Sequence, residues 1–148
     1  MLRKLADLIR AHEDKIEQWF LQKENEVNGE PLYASTDLRN AGYKIAPVDT
    51  NIFPAGFNNL CPSYREQATK LYKAYFEKFH PRAKRLLILP ENHTKNLFYL
   101  DNVLTLQELI EKAGFEVRIG ALNPAQKEEV LQIKTASGKL ITLAKLHE

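Results

Sequence analysis

The chain has 148 residues, 44% of them hydrophobic and 27% charged, with a formal net charge of +2. This balance fits one soluble α/β-sized domain spanning 1–148 with its own core, and it argues against a strongly basic nucleic-acid binder, a disulfide-stapled mini-protein or a low-complexity chain. No stretch is apolar for long enough to span a bilayer, the amino terminus lacks the unbroken apolar core of a signal peptide, and Cys61 has no second cysteine to pair with, so the expected location is cytoplasmic.

The chain opens with Leu2, Leu5, Ile9, His12, Ile16, Trp19 and Phe20 spaced by threes and fours, which predicts one amphipathic helix running to about 25–28 and stopped by Gly29. Its polar face mixes both charge signs, so packing on a core is favoured over a membrane surface. His12 falls on the apolar side and reads as a core-edge histidine. The stretch 33–60 has no sustained period and reads as an ordered loop with a short strand at Tyr43–Ile45. Ser63-Tyr64-Arg65-Glu66 matches a capping box and predicts a helix that Pro81 ends. Arg85–Leu89 is a short apolar run before Pro90, the pattern of a strand buried on both faces. A helix follows from Leu97, with a second capping box at Thr105–Glu108 where it could break and restart, and Gly114 closes it. Phe115–Gly120 reads as the next strand, completing a βαβ unit. Asn123-Pro124-Ala125 opens a connection to a β-hairpin at 130–134 and 140–143, with turn residues at 136–139. The fold class expected is α/β, a three-layer domain with a mostly parallel sheet flanked by helices, plus a C-terminal β-hairpin.

Two polar clusters stand out. The first holds Asp37, Arg39, Asn40, Lys44, Asp49, Asn51, Asn58 and Asn59 between apolar anchors; the second is Glu91-Asn92-His93-Thr94-Lys95-Asn96, at the carboxyl end of the 85–89 strand. Ligands of open α/β sheets bind beyond that end of the strands, where a helix N-terminus also accepts anions. Arg39, Lys44 and the amides on one side with Glu91 on the other could hold both ends of a small zwitterion such as an amino acid. Ordinary turn and capping chemistry uses the same residue types and accounts for part of both clusters. There is no P-loop, no G-x-G-x-x-G, no C-x-x-C, no H-E-x-x-H and no nucleophile elbow, so no metal site is expected. Cys61 reads as an ordinary packed residue.

The segments DLRNAGYKIAPVDTNIFPAGFNNL and LILPENHTKNLFYLDNV, followed by AGFEVRIGAL, resemble the proteobacterial glutamate–cysteine ligase family. Members are considerably longer than this chain, so the resemblance places these residues in an N-terminal part and implies a C-terminal catalytic region as partner. It implies ATP-dependent joining of L-glutamate, through its γ-carboxylate, to L-cysteine by way of an acyl phosphate, the first step of glutathione synthesis. ATP and magnesium are then expected in the full enzyme, in an ATP-grasp-like arrangement, with neither held tightly by this chain alone. On that basis Arg39 and Lys44 are candidates for a substrate carboxylate or the transferring phosphate, and Asp49 and Glu91 for an ammonium group or a magnesium-bound water. Asn40, Asn51, Asn58, Asn59, Asn92 and Asn96 would orient by hydrogen bonds, and His93 would donate to a carboxylate or phosphate. The alternative is a non-catalytic α/β module for amino-acid binding or homo-oligomerisation; neither reading calls for nucleic acid or a membrane.

Overall fold

Burial is distributed very unevenly along the chain, and it follows the division into two compact units, Met1–Pro54 and Ala55–Glu148. The computed structural model describes residues 2–26, 31–91, 95–121 and 127–146; Gly29, Asn92, His93, Thr94 and the 123–125 connection lie outside them. None of the described helices is long and apolar enough to cross a membrane.

In the first unit the amino-terminal helix is two helices, α1 (Leu2–Ala11) and α2 (Glu13–Glu26), instead of one. The break falls at His12, whose amide donates to the Ile9 carbonyl at 3.0 Å and whose carbonyl starts the next helix. Glu13 and Asp14 then occupy the first turn of α2, where negative charge offsets the exposed amides. His12 is exposed, so it is not the core-edge histidine the periodicity suggests.

The stretch expected to be a loop is a β-hairpin, β1 (Ala34–Asn40) against antiparallel β2 (Ile45–Ile52). Its strand character is hidden in the sequence because neither face is buried. The facing pairs Ser35–Asn51, Thr36–Thr50 and Asp37–Asp49 are polar, and all of β2 except Ala46 is exposed. Pro47, which lacks an amide for the ladder, is accommodated beside a register shift: Asp37 faces Asp49, but Leu38 faces Pro47, leaving Val48 as an extra residue. At the tip the Ala41 amide donates to the Lys44 carbonyl at 3.0 Å, and Gly42 takes a φ of 86°, a value that costs any other residue.

The second unit holds the core. A 3-10 turn (Phe57–Asn59) leads to α3 (Pro62–Phe79), β3 (Arg85–Ile88), α4 (Leu97–Lys112), β4 (Glu116–Ala121), β5 (Val130–Lys134) and β6 (Leu140–Lys145). The sheet order is β3-β4-β6-β5, with β3–β4 and β4–β6 parallel and β5–β6 an antiparallel hairpin. This is the expected mostly parallel α/β sheet with its C-terminal hairpin. Leu100 and Val103 of α4 pack on Ile119 and Ala121 of β4 and Ile141 and Leu143 of β6. Each of the leucine, valine and isoleucine side chains contributes roughly 1.5–3 kcal/mol by leaving water. Helix α3 packs on α4, burying Tyr72 and Phe76, with the Phe76 and Phe115 rings 4.7 Å apart. Gly120 is buried where a Cβ would lie 2.6 Å from Leu146 Cδ1, so any larger residue would force the Leu146 side chain to move.

Three local expectations are corrected. Helix α3 starts one residue before the capping box, with Cys61 as N-cap and Pro62 in its first turn, so Ser63 is already helical and caps nothing. Helix α4 runs unbroken through the second capping box; Thr105 Oγ1 donates instead to the Asp101 carbonyl at 2.8 Å. Strand β3 is an edge strand with only one face covered, leaving Leu87 51% exposed.

Two adjacent polar side chains in buried α4 hold the loops around it. Asn102 Oδ1 accepts from the Gly56 and Phe57 amides at 2.7 and 2.9 Å. The Asp101 carboxylate accepts from the Ser137 amide at 2.9 Å and the Ser137 hydroxyl at 2.6 Å. Burial pushes the Asp101 carboxyl up, but the Ser137 hydroxyl, with Thr135, the Ser137 amide and the charge of Lys139, outweighs it and holds the group below its ordinary value. Asn102→Ala leaves two amides without their acceptor and is expected to cost about 1–3 kcal/mol, with Asn102→Asp losing less; urea unfolding measures both. Because the folded Asp101 titrates below the unfolded carboxyl, its stabilisation is complete above the ordinary carboxylate range and is lost as pH falls through the folded value. Asp101→Asn should therefore be less stable than the native chain at neutral pH, with the gap closing as acid is added, in urea midpoints taken across pH.

Candidate functional site

Five of the candidate residues lie on the hairpin of the first unit. Arg39, Asn40, Lys44, Asp49 and Asn51 all sit on its strands or tip and all are exposed. The two amides and the one acid among them are all engaged locally. Asn40 Oδ1 accepts from the Gly42 amide at 2.8 Å, which shapes the tip, and Asn51 Nδ2 donates to Asp49 Oδ2 at 2.9 Å, which orients that carboxylate. The cations are different: among the described residues the side chains of Arg39 and Lys44 have neither a hydrogen bond nor an ion pair.

Next to the tip, α1 and the hairpin enclose an open groove of about 400 Å³. Leu5, Leu8, Tyr43 and Ile45 make it apolar, while Lys4, Lys44 and Asn40 supply the polar groups. The volume is in the range of small-molecule sites. Two ammonium groups over an aliphatic wall suit a carboxylate or phosphate carried on a short carbon chain. Lys4 was not a sequence candidate; it lies on the polar side of a helix whose period says nothing about a strand pair far along the chain.

On the same hairpin, Asp37 and Asp49 face each other directly across the ladder. Like charges so placed repel, by roughly 0.2–1 kcal/mol, and a cationic group set between them would relieve that. An ammonium group is the simplest such cation.

The remaining candidates belong to the second unit. Asn58 and Asn59 lie in the 3-10 turn, where they serve through their backbones: the Asn58 carbonyl accepts from Arg65 Nη2 at 2.9 Å, and the Asn59 amide donates to the Gly56 carbonyl at 2.9 Å. Arg65 also donates through Nε to the Leu60 carbonyl at 3.0 Å, so it and Asn102 fix this turn from two sides. Sequence reasoning missed both, because a lone polar residue inside a helical pattern gives no sign of what it reaches. Asn96 is the N-cap of α4, its Oδ1 accepting from the Tyr99 amide at 3.1 Å. The Glu91 amide donates to Tyr99 Oη at 2.9 Å, joining the end of β3 to the first turn of α4. Burial, with the nearby Glu91 carboxylate, holds the Tyr99 phenol above its ordinary value despite that amide, so it stays protonated. Asn92 and His93 lie outside the described residues. The first cluster is thus divided, with Asp37 through Asn51 in the first unit and Asn58 and Asn59 in the second, where Glu91 and Asn96 of the second cluster also lie.

Cys61 is exposed, not packed, and its thiol lies 3.1 Å from Ser63 Oγ. The Ser63 hydroxyl and then the Tyr64 amide hold it below the ordinary thiol value. Among the described residues no three His, Cys, Asp or Glu side chains converge on a point that could hold a metal ion.

The family model for glutamate-cysteine ligase matches residues 6–148. The chain is also similar to a solved structure from Methylobacillus flagellatus KT, assigned by name as a gamma-glutamylcysteine synthetase, with 44% identity and a TM-score of 0.90 over 99% of this chain and 34% of that one. The chain therefore spans about a third of the length of that relative. No curated protein matches it significantly.

Since the side chains of Arg39 and Lys44 make no hydrogen bond or ion pair with the described residues, Arg39→Ala and Lys44→Ala should each unfold within about 0.5 kcal/mol of the native chain in urea. A larger loss would make them structural residues of the hairpin.

Proposed function

The chain belongs to the glutamate-cysteine ligase family, and on that premise we propose that it forms part of an ATP-dependent ligase joining the γ-carboxylate of L-glutamate to the amine of L-cysteine. The family match over nearly the whole chain carries this reading. A free carboxylate is a poor acceptor for an amine, because its oxygen cannot leave. Phosphorylation by ATP, as substrate, turns that oxygen into phosphate, and the cysteine amine then displaces it to give γ-glutamylcysteine. The route needs no covalent nucleophile from the protein, which agrees with an exposed Cys61 that has no histidine partner among the described residues. A single unpaired cysteine also supports a reducing, cytoplasmic setting.

The part assigned to this chain is substrate binding. Arg39 and Lys44 would meet a carboxylate of glutamate, each as a fixed positive charge, and Asp49, oriented by Asn51, would meet its ammonium group. Asn40 at the groove would add an amide to the carboxylate end. In the second unit the candidate substrate contacts of the ligase are Glu91 and Asn96, along with Asn58, Asn59, Asn92 and His93. Magnesium finds no assembled donor set among the described residues, so no step is assigned to it here. A C-terminal region, as in longer members of the family, would supply the nucleotide site.

Calorimetric titration of the chain with L-glutamate, and with glycine as control, tests the assignment. Glutamate should bind selectively, and Arg39→Ala or Lys44→Ala should weaken it by about tenfold or more, the loss of one charge-assisted hydrogen bond. Undiminished affinity in both variants would remove the hairpin from the substrate site.

A further inference from the structure

The first unit has no interior: every described residue of it with an assigned exposure is at least partly open to water. Its apolar side chains are nevertheless many and large. On α2, Ile16, Trp19 and Phe20 share one face by their spacing, and the Trp19 and Phe20 rings meet edge to face at 5.1 Å while staying 54% and 57% exposed. Ile9 of α1 is half open, and the hairpin with the residue after it adds Leu38, Val48, Ile52 and Phe53. A soluble monomer rarely leaves so many large apolar side chains uncovered, and such exposed apolar faces mark a contact with another polypeptide. A two-stranded hairpin with neither face buried is likewise marginal by itself in water.

What covers it is indicated by length. The Methylobacillus relative matches 99% of this chain at 44% identity, and about two thirds of its own length lies beyond the match. We propose that the apolar faces of α2 and of the hairpin are docking surfaces for that remaining portion of a longer ligase chain. This rests on family membership and is independent of which residues bind glutamate. A membrane is the weaker occupant, because the surrounding charges, Asp7, Arg10, Glu13, Asp14, Lys15 and Glu17, are of both signs and do not form a basic face.

Trp19 is the only tryptophan in the chain, so its fluorescence reports on this surface alone. In the 148-residue chain it should emit as an exposed indole and be quenched readily by acrylamide. Adding the Methylobacillus protein deleted of its region equivalent to 1–148 should shift the emission to the blue and cut quenching several-fold, saturating at one to one. Phe20→Asp, an exposed substitution, should abolish the shift while leaving the glutamate titration unchanged. A blue shift that grows with the chain's own concentration, alongside a dimer in sedimentation, would overturn the proposal in favour of a second copy. Burial of Trp19 in the dilute monomer would also overturn it. Should the deleted protein fail to fold, side-chain oxidation footprinting of the intact relative decides: protection of the segment equivalent to 13–26 supports docking, and reactivity equal to that in the isolated chain overturns it.

Discussion

Asp101 and Asn102 are consecutive on α4, and the second unit depends on that adjacency. Successive residues on a helix point about 100° apart, so one buried turn of helix can reach in two directions at once. Asp101 reaches the turn between β5 and β6 through Ser137, and Asn102 reaches the 3-10 turn ahead of α3 through the Gly56 and Phe57 amides. Both side chains are less than 10% exposed. Leaving either acceptor unmatched would cost more than the bonds return, so the loops are held where the polar atoms need them. Around this pair the apolar core closes in the ordinary way, with Leu100 and Val103 of the same helix filling the space over β4 and β6.

The first unit has no equivalent. Its hairpin is a backbone ladder with a register shift, two threonines and two aspartates facing across it, and no residue out of reach of water. The phenyl ring of Phe53 ends it at a φ of 63°, in the left-handed region that an aromatic residue seldom adopts, directly before Pro54. Tyr33 packs edge to face on that ring at 5.4 Å, which is the local compensation the structure shows. Strain at such a point is tolerated when neighbouring structure over-determines it. An uncovered hairpin offers little of that, and the apolar side chains it leaves outside are the resource from which more could come.

How much was legible in the sequence follows the same division. Wherever burial imposes a period, the reading holds: β4, the β5–β6 hairpin and the extent of α4 are recovered to within a residue or two, because Val117 and Ile119, or Leu131 and Ile133, alternate as one-sided strands must. Where burial imposes none, the reading fails. The strands Ala34–Asn40 and Ile45–Ile52 look like loop because their side chains answer to water on both faces, and Pro47 and Gly42 strengthen that impression. Capping motifs misled for a related reason. A capping box marks a helix start only if the chain before it is not already helical, and Leu100, Val103 and Leu104 keep α4 intact through Thr105. The residues resembling the ligase motifs were identifiable, but their division of labour was not. Asn96 is a cap and Asn40 shapes a tip, while Asn102 and Arg65, which hold the motif's second half in place, gave no signal of their own.

The docking surface and the proposed substrate site constrain each other. A charged side chain contributes to binding in proportion to how firmly it is already held, since any ordering left to the moment of binding is subtracted from the affinity. Arg39 and Lys44 stand on the part of the chain with the least buried support. If the hairpin samples several arrangements, apparent affinity falls by the fraction in which both cations are placed to meet one ligand. Covering Leu38, Val48 and Ile52 from outside would fix the strands that carry them without touching the ligand. The apolar face and the charged face of one hairpin would then serve a single end: burial on one side supplies the rigidity that charge recognition on the other requires.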